Sequence, residues 1–324
     1  MKWLPLILSA GLGVSATVHG QAQTYPNKPI RLIVAAAPGG GTDIIGRLFA
    51  PRLGERLGQP LLPDNRGGSG GAIAADLVVK SAPDGYTLLM TNDQLTTQAS
   101  LVGYAGTATY DVLKDLVPIG LMGRTAMVLG VHPSVPVNTV QELVSYVRSQ
   151  PGKLSYSSCG VGTPLHLAGE LLKLNAGLDL THIAYRGCVP ALVDVMSGQV
   201  PIFFNMIGNT NAHAKSGKVK LIAVATAQRL PGTPALPTIS ESGFPNFEAF
   251  PWYGVLAPAG TPKEIIHRLN AEITQAVNQP DIRERLVQLF FEPTTATPEE
   301  FASIMKADLA QWHRVVREAK IKAE

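Results

Sequence analysis

Residues Ile30 to Ala37 are apolar except for Arg31, and they run into Pro38-Gly39-Gly40-Gly41-Thr42-Asp43. After the glycines, Ile44, Ile45, Leu48, Phe49, Leu53 and Leu57 recur at helical spacing up to Gly58. This predicts a buried strand, a tight glycine loop and a helix opening at Thr42 or Asp43, which Pro51 should interrupt. Leu61-Leu62 reads as a short strand broken by Pro63, and Asp64 to Gly71 as a second glycine-rich loop. A helix over Ala72 to Ser81 and a strand over Tyr86 to Met90 follow, with Thr91-Asn92-Asp93 at the strand's carboxyl end. Ile119 to Val131 is a long extended run, read as a strand crossing into a second unit.

In that second unit, Thr139/Glu142 is a capping box for a helix to Gln150. Lys153 to Ser157 is a strand, followed by Ser158-Cys159-Gly160-Val161-Gly162 and a helix with Thr163 as N-cap and Pro164 in its first turn. Leu180 to Tyr185, Pro201 to Asn205 and Leu221 to Thr226 are further strands, and Arg186 to Pro190 opens a helix that ends near Gly198. Arg229 to Phe250 has four prolines and no periodicity, so it is expected on the surface. Phe250 to Pro258 crosses back as a strand, and Thr261/Glu264, Asp281/Glu284 and Thr297/Glu300 are expected to start three helices. Alternating strands and helices imply parallel sheets with helices on both faces. The fold class is α/β, two doubly wound lobes joined by two hinge strands with a ligand cleft between them. The expected division is 23–123 plus 250–324 for one lobe and 124–249 for the other.

Composition narrows the class. The chain has 324 residues, 45% hydrophobic and 16% charged, which supports large cores and excludes a disordered chain. A formal net charge of +3, with scattered Lys and Arg, lacks the basic stripe of a nucleic-acid binder. Residues 1–22 read as a signal peptide: Lys2, then an apolar Leu4 to Ala16 too short to span a bilayer, then small residues at Gly20 and Ala22. That implies export. Cys159 and Cys188 are the two cysteines; a disulfide and two half-buried thiols stand as alternatives.

Candidate chemistry centres on anions. A glycine loop ahead of a helix lets backbone approach a ligand and offers unpaired N–H groups at the positive end of the dipole. Pro38 to Asp43 and Gly160 to His166 both have this form, and the segment from His182 to Ala191 has it more weakly. Asp43 sits uneasily beside an anion; it caps its helix or holds a water. His166 either lines the cleft or caps at the surface, and Arg186 either pairs a carboxylate or is a solvated loop residue. Asn205 bonds a ligand or ties a loop, and Trp252 and Tyr253 read first as hinge core. Gly67-Gly68-Ser69-Gly70-Gly71 matches the G-x-S-x-G elbow of exported hydrolases, but no His with a paired acid completes a triad around Ser69. No cluster has metal-ligand spacing, and no catalytic residue, metal or cofactor is expected.

Taken in order, several motifs resemble the substrate-binding receptors of tripartite tricarboxylate transporters, the Bug proteins. They are Tyr25-Pro26-Asn27-Lys28-Pro29-Ile30-Arg31, Pro38 to Asp43, Asn65-Arg66, Ala82-Pro83-Asp84-Gly85-Tyr86-Thr87-Leu88, Gly162-Thr163-Pro164 with His166-Leu167-Ala168-Gly169-Glu170, Tyr185-Arg186-Gly187, and Trp252-Tyr253-Gly254. The resemblance implies a type II periplasmic binding protein, a monomer without enzymatic activity, that closes on a small carboxylate and serves integral membrane permease subunits. A receptor for a sensor kinase and a hydrolase using Ser69 are the alternatives. It implies that Pro38, Gly39, Gly40, Gly41, Thr42 and Asp43 on one side, and Gly160, Gly162, Thr163 and His166 on the other, grip the carboxylate. Thr91, Asn92, Tyr185, Arg186, Gly187 and Asn205 would line the same cleft. Ala35, Ala36 and Ala37 depart from the aromatic and proline common in that family, and Arg186 and Cys188 stand where many relatives have Lys and Ser or Ala. The lost bulk favours a ligand larger or flatter than a short aliphatic diacid, such as an aromatic carboxylate.

Overall fold

The computed structural model describes residues 25–101, 109–230 and 232–322, so the signal-peptide segment lies outside the described residues. The chain lays down β1 (Ile30–Val34), α1 (Gly41–Leu57), β2 (Leu61–Asn65), α2 (Ala72–Val79), β3 (Thr87–Asn92), α3 (Gln94–Ala99) and β4 (Leu116–Thr125). It continues with β5 (Met127–Val131), α4 (Val140–Arg148), β6 (Ser155–Ser158), α5 (Pro164–Ala176), β7 (Thr181–Ala184), α6 (Cys188–Met196), β8 (Ile202–Met206), α7 (Ile207–Lys215) and β9 (Lys220–Val224). It ends with β10 (Trp252–Pro258), α8 (Lys263–Val277), α9 (Pro280–Gln288), β11 (Phe291–Glu292) and α10 (Pro298–Glu318).

These strands form two sheets, ordered β11-β4-β10-β3-β1-β2 and β7-β6-β8-β5-β9. The expectation of parallel sheets needs correction: both are mixed. β1 runs parallel to β2 and β3, and β6 to β7 and β8, each joined through a helix. β10 is antiparallel to β3 and β4, and β5 to β8 and β9. The crossing strands enter their sheets directly, without the helical return a parallel neighbour needs, and so insert antiparallel. β4 passes into β5 from one sheet to the other, and the chain returns at β10.

Four of the five β1 side chains, Ile30, Leu32, Ile33 and Val34, are wholly buried, as befits a strand covered on both faces. α10 ties the two halves together. Phe301 and Met305 pack with the first sheet, whereas Trp312, Val315, Val316 and Ile321 join the core around the second.

Local expectations held where the signal was complete. Thr297 and Glu300 form a reciprocal capping box, and Thr163 caps α5 ahead of Pro164. The Thr139 hydroxyl accepts from the Glu142 N–H at 3.1 Å, but Glu142 reaches back to the Asn138 N–H, one residue before the cap. Thr261 and Asp281 cap nothing. α8 starts behind Pro262, while the Thr261 hydroxyl donates to the Pro258 carbonyl at 2.7 Å. α9 starts with Pro280 in its first turn, and Asp281 pairs with Arg52 at 2.7 Å. Pro51 lies on the exposed side of an unbroken α1, where the carbonyl it leaves without a donor meets water. Pro63 sits inside β2, an edge strand bonded only to β1, where its missing N–H costs no ladder bond. The segment between Arg229 and Phe250 is not confined to the surface: Ile239, Phe247 and Ala249 are buried in the second core, and Thr238 bridges to Val224.

Candidate functional site

The glycine loop after β1 is held from beneath by Asp43. Its carboxylate accepts from the Gly39 N–H at 2.9 Å, from Asn65 Nδ2 at 2.8 Å and from Arg47 Nε at 2.8 Å. Burial opposes its charge, but these three donors outweigh burial and hold the carboxyl below its ordinary value. Asp43 therefore neither caps α1 nor needs a water to coexist with an anion; Gly40 is the N-cap, and no side chain caps it. Gly39 turns with φ +82°, which frees the loop to place the next amides at the helix start. Among the described residues, no group accepts from the N–H of Gly41, Thr42 or Asp43. The Tyr253 hydroxyl lies beside them, 3.0 Å from where a Cβ on Gly41 would sit.

The second glycine loop folds onto Ala35 to Ala37. A Cβ on Gly67 would lie 2.8 Å from the Ala37 nitrogen, and one on Gly71 3.2 Å from the Ala35 Cβ and 4.0 Å from Thr91 Oγ1. The space left by the three alanines is thus partly occupied by backbone that only glycine permits at this distance. Ser69 is exposed with φ +46°, and its hydroxyl bonds to no described residue. The serine hydroxyls in contact with a histidine ring among the described residues are instead those of the buried Ser158, with His182, and the exposed Ser134, with His132.

On the second sheet, the loop after β6 is tied at each turn. Thr163 Oγ1 donates to the Gly160 carbonyl at 2.7 Å, and the Gly162 N–H donates to His166 Nδ1 at 3.1 Å. Cys159 and Cys188 form a disulfide, which decides between the two alternatives. The Gly187 N–H donates to the Cys159 carbonyl at 3.1 Å, so the loops after β6 and β7 are one unit. His166 is not at the surface; only 4% of it is exposed.

The remaining candidates divide. Arg186 is exposed, with no hydrogen bond or ion pair to any described residue. The Tyr185 hydroxyl donates to Asp194 on α6 at 2.6 Å. Asn205 is buried at the end of β8, its Oδ1 accepting from the Met206 N–H and from Asn209. Asn92 Oδ1 accepts from the Gln94 N–H. Pro38 to Asp43, Thr91 and Asn92 are gathered at the carboxyl ends of β1 and β3, and Gly160 to His166 and Tyr185 to Gly187 at those of β6 and β7. A cavity of about 590 Å³ among Arg124, Thr226, Phe250, Phe290 and Phe291 contains none of these residues.

Gln98 on α3 links the two groups, and nothing in the sequence singled it out. Its Nε2 donates to the Gly162 carbonyl at 3.2 Å, and its Cγ fills the place of a Cβ on Gly70. α3 thus touches the glycine loops of both halves at once.

Residues 45–321 match the TctC family, described as the tripartite tricarboxylate transporter family receptor. The chain belongs to this family. Protein BugT of Bordetella pertussis is 35% identical over 318 residues, covering 98% of this chain and 97% of BugT. Among solved structures, R. palustris Rpa4515 with adipate aligns with a TM-score of 0.79 at 34% identity, covering 92% of this chain and 99% of that one. The periplasmic binding protein BugD aligns at 0.76 and 33%, covering 93% and 100%. MatC from Rhodopseudomonas palustris with bound malate aligns at 0.76 and 31%, covering 90% and 100%. The fold of this TctC-family chain is therefore that of type II periplasmic binding proteins. The family consists of transporter receptors, not enzymes, which removes the hydrolase reading of Ser69.

Proposed function

We propose that this protein is a monomeric periplasmic receptor that captures a small organic carboxylate and hands it to the membrane permease subunits of a tripartite carrier. The observation that carries the ligand class is the start of α1. Three successive amides there have no acceptor among the described residues, at the positive end of a 17-residue helix and beside a tyrosine hydroxyl. Such an arrangement favours an anion by both hydrogen bonding and dipole. The adipate and malate named with Rpa4515 and MatC are of this class.

In this reading the α1 amides take one carboxylate group, and Thr163 with the free amides at the start of α5 faces them. The Arg186 guanidinium, exposed and unpaired among the described residues, closes over a second acidic group. The lobes, 23–123 with 250–324 and 124–249, close about the two crossing segments, and the last turns of α10 move with the second lobe into whose core they pack. Ala35 to Ala37 favour an aromatic acid as the second ligand reading, although Gly67 and Gly71 take up part of their space.

The test is a thermal-shift screen of residues 23–324 against adipate, malate, succinate, citrate, benzoate, phthalate and terephthalate. A ligand at about a thousand times its Kd adds about 4 kcal/mol and raises Tm by several degrees. A shift that Arg186→Ala abolishes, with the melting of the unliganded protein unchanged, supports the reading. Binding of neutral or cationic solutes in preference to every acid refutes it.

A further inference from the structure

Behind the Gly160–Thr163 loop lies a pair of histidines that the binding proposal does not use. His166 on α5 and His182 on β7 stack with ring centroids 3.8 Å apart and planes 12° apart. Each ring controls one end of the loop. His166 Nδ1 accepts from the Gly162 N–H at 3.1 Å. His182 Nε2 is 2.7 Å from Ser158 Oγ, and Ser158 Oγ accepts from the Gly160 N–H at 3.3 Å. With those two amides engaged, the N–H groups of Val161 and Leu165 are left without an acceptor among the described residues.

An acceptor nitrogen must carry a lone pair, so His166 is neutral with its proton on Nε2. That nitrogen faces Glu170 Oε1 at 4.0 Å. Glu170 Oε1 also accepts from the Tyr156 hydroxyl at 2.7 Å and from Lys173 Nζ at 2.8 Å, so the Lys173 ammonium offsets the carboxylate's charge beside the ring. The charged and titratable groups facing the stack are Glu170 and Lys173 from α5, Tyr156 from β6 and the other histidine. α3 brings only the neutral Gln98, and α10 brings Gln311 and Arg314 beside Leu171 and Asn175, more than a turn further along α5. Burial, with Lys173 adding to it, pushes His166 down to about 4. Burial and the neighbouring His166 push His182 down to about 3, against the pull of Glu170.

We propose that His166 is a positioning residue of the carboxylate site: its neutral ring, stacked on His182, fixes the Gly160–Thr163 loop in the shape that presents free amides to the ligand, and protonation of the ring releases the loop. This rests on the carboxylate reading given above for that loop. Pre-organised donors bind an anion without the cost of ordering the backbone in the complex. A protonated His166 turns a second donor toward the Gly162 N–H, and the loop must rearrange to part them.

The experiment follows the Gly162 amide resonance by 15N NMR between pH 7 and 3.5, in wild type, His166→Asn and His166→Ala. Asn keeps an acceptor oxygen near the place of Nδ1 and does not titrate. The wild-type Gly162 resonance is expected to move with a midpoint near pH 4, together with the His166 ring. In His166→Asn it stays near its neutral-pH position throughout. Calorimetry with adipate and malate is expected to show at least tenfold weaker binding in His166→Ala at pH 7, and recovery in His166→Asn without acid sensitivity. A Gly162 resonance that is flat to pH 3.5, or that still titrates in His166→Asn, overturns the proposal. Should His166→Ala fail to fold, the wild type and His166→Asn decide the matter alone. The Gly162 readout needs no ligand, so failure of the positioning role is distinguished from failure of the carboxylate reading, which appears only in the calorimetry.

Discussion

Replacing both Cys159 and Cys188 by Ser removes a link between positions 29 residues apart. The entropy that such a link withholds from the unfolded chain is about 12 cal/mol/K, or about 3.6 kcal/mol at 25 °C. Spread over roughly 300 residues that each gain about 2.1 cal/mol/K on unfolding, the loss lowers Tm by about 6 °C. The native side changes less. The Gly187 N–H to Cys159 carbonyl bond and the Tyr185 N–H to Ser158 carbonyl bond already join the two loops, and the histidine stack holds one of them independently. The disulfide should therefore act on stability and hardly on the site: well below Tm, affinity for whichever acid shifts the wild type stays within about threefold. Scanning calorimetry of the oxidised protein, the reduced protein and the double variant measures the first effect, and titration calorimetry at 20 °C the second. A Tm within a degree of wild type would refute the unfolded-state argument. A tenfold loss of affinity with Tm unchanged would show that the link shapes the native loop, contrary to the hydrogen bonds described here.

Acid should expose the histidine pair in equilibrium unfolding as well. With both rings lowered from about 6.5 in the unfolded chain to about 4 and about 3 in the folded one, the unfolded state binds more protons in that window, so their contribution is complete above pH 6.5 and declines as pH falls. Asp308, raised by burial to about 6, and Asp93, raised by burial and Asp308, pull the other way, so the useful quantity is a difference between proteins. Urea unfolding should show wild type losing about 2 kcal/mol more than His166→Asn between pH 7 and pH 4.5; equal losses would contradict the neutral stack. Two glycines with positive φ separate backbone strain from crowding. Gly39→Ala, with nothing within 4 Å of the new Cβ, should cost about 1 kcal/mol, whereas Gly162→Ala, 2.5 Å from Leu101 Cδ1, should cost about 1–3 kcal/mol more in the same assay.

How far the sequence could be read follows from how far apart the deciding residues are. The first strand and its glycine loop, the Thr163-Pro164 start of α5 and the Thr297–Glu300 box are complete within a few residues, and each forms where the pattern placed it. The direction of β5 and β10 depends on which strands flank them, a relation between segments as far apart as Val128 and Val224, and periodicity carries no such information. The same holds for Ile239 and Phe247, in a proline-rich stretch with no repeating pattern, which are buried because the second sheet leaves room for them. α3 is six residues long with two threonines and two glutamines, so no apolar stripe announces it, and Gln98 matters only because Gly70 and Gly162 lack side chains where it passes.

His166 shows how a residue singled out in the sequence acquires its setting from distant neighbours. Its spacing from Gly162 is that of one helical turn, and on its own such a histidine is solvated and available to a ligand. His182, sixteen residues away on the edge strand of its sheet, covers one ring face, and Glu170 stands at the far nitrogen. Those neighbours take the ring out of water and direct its lone pair at the backbone. On the proposal made above, His166 holds the loop in place behind the amides, and Asp43 is engaged in a comparable way on the opposite side, where Gly39, Asn65 and Arg47 claim its carboxylate. In both loops the charged or titratable side chain supports the turn from within, and the groups left for an anion are main-chain amides, which no choice of side chain advertises.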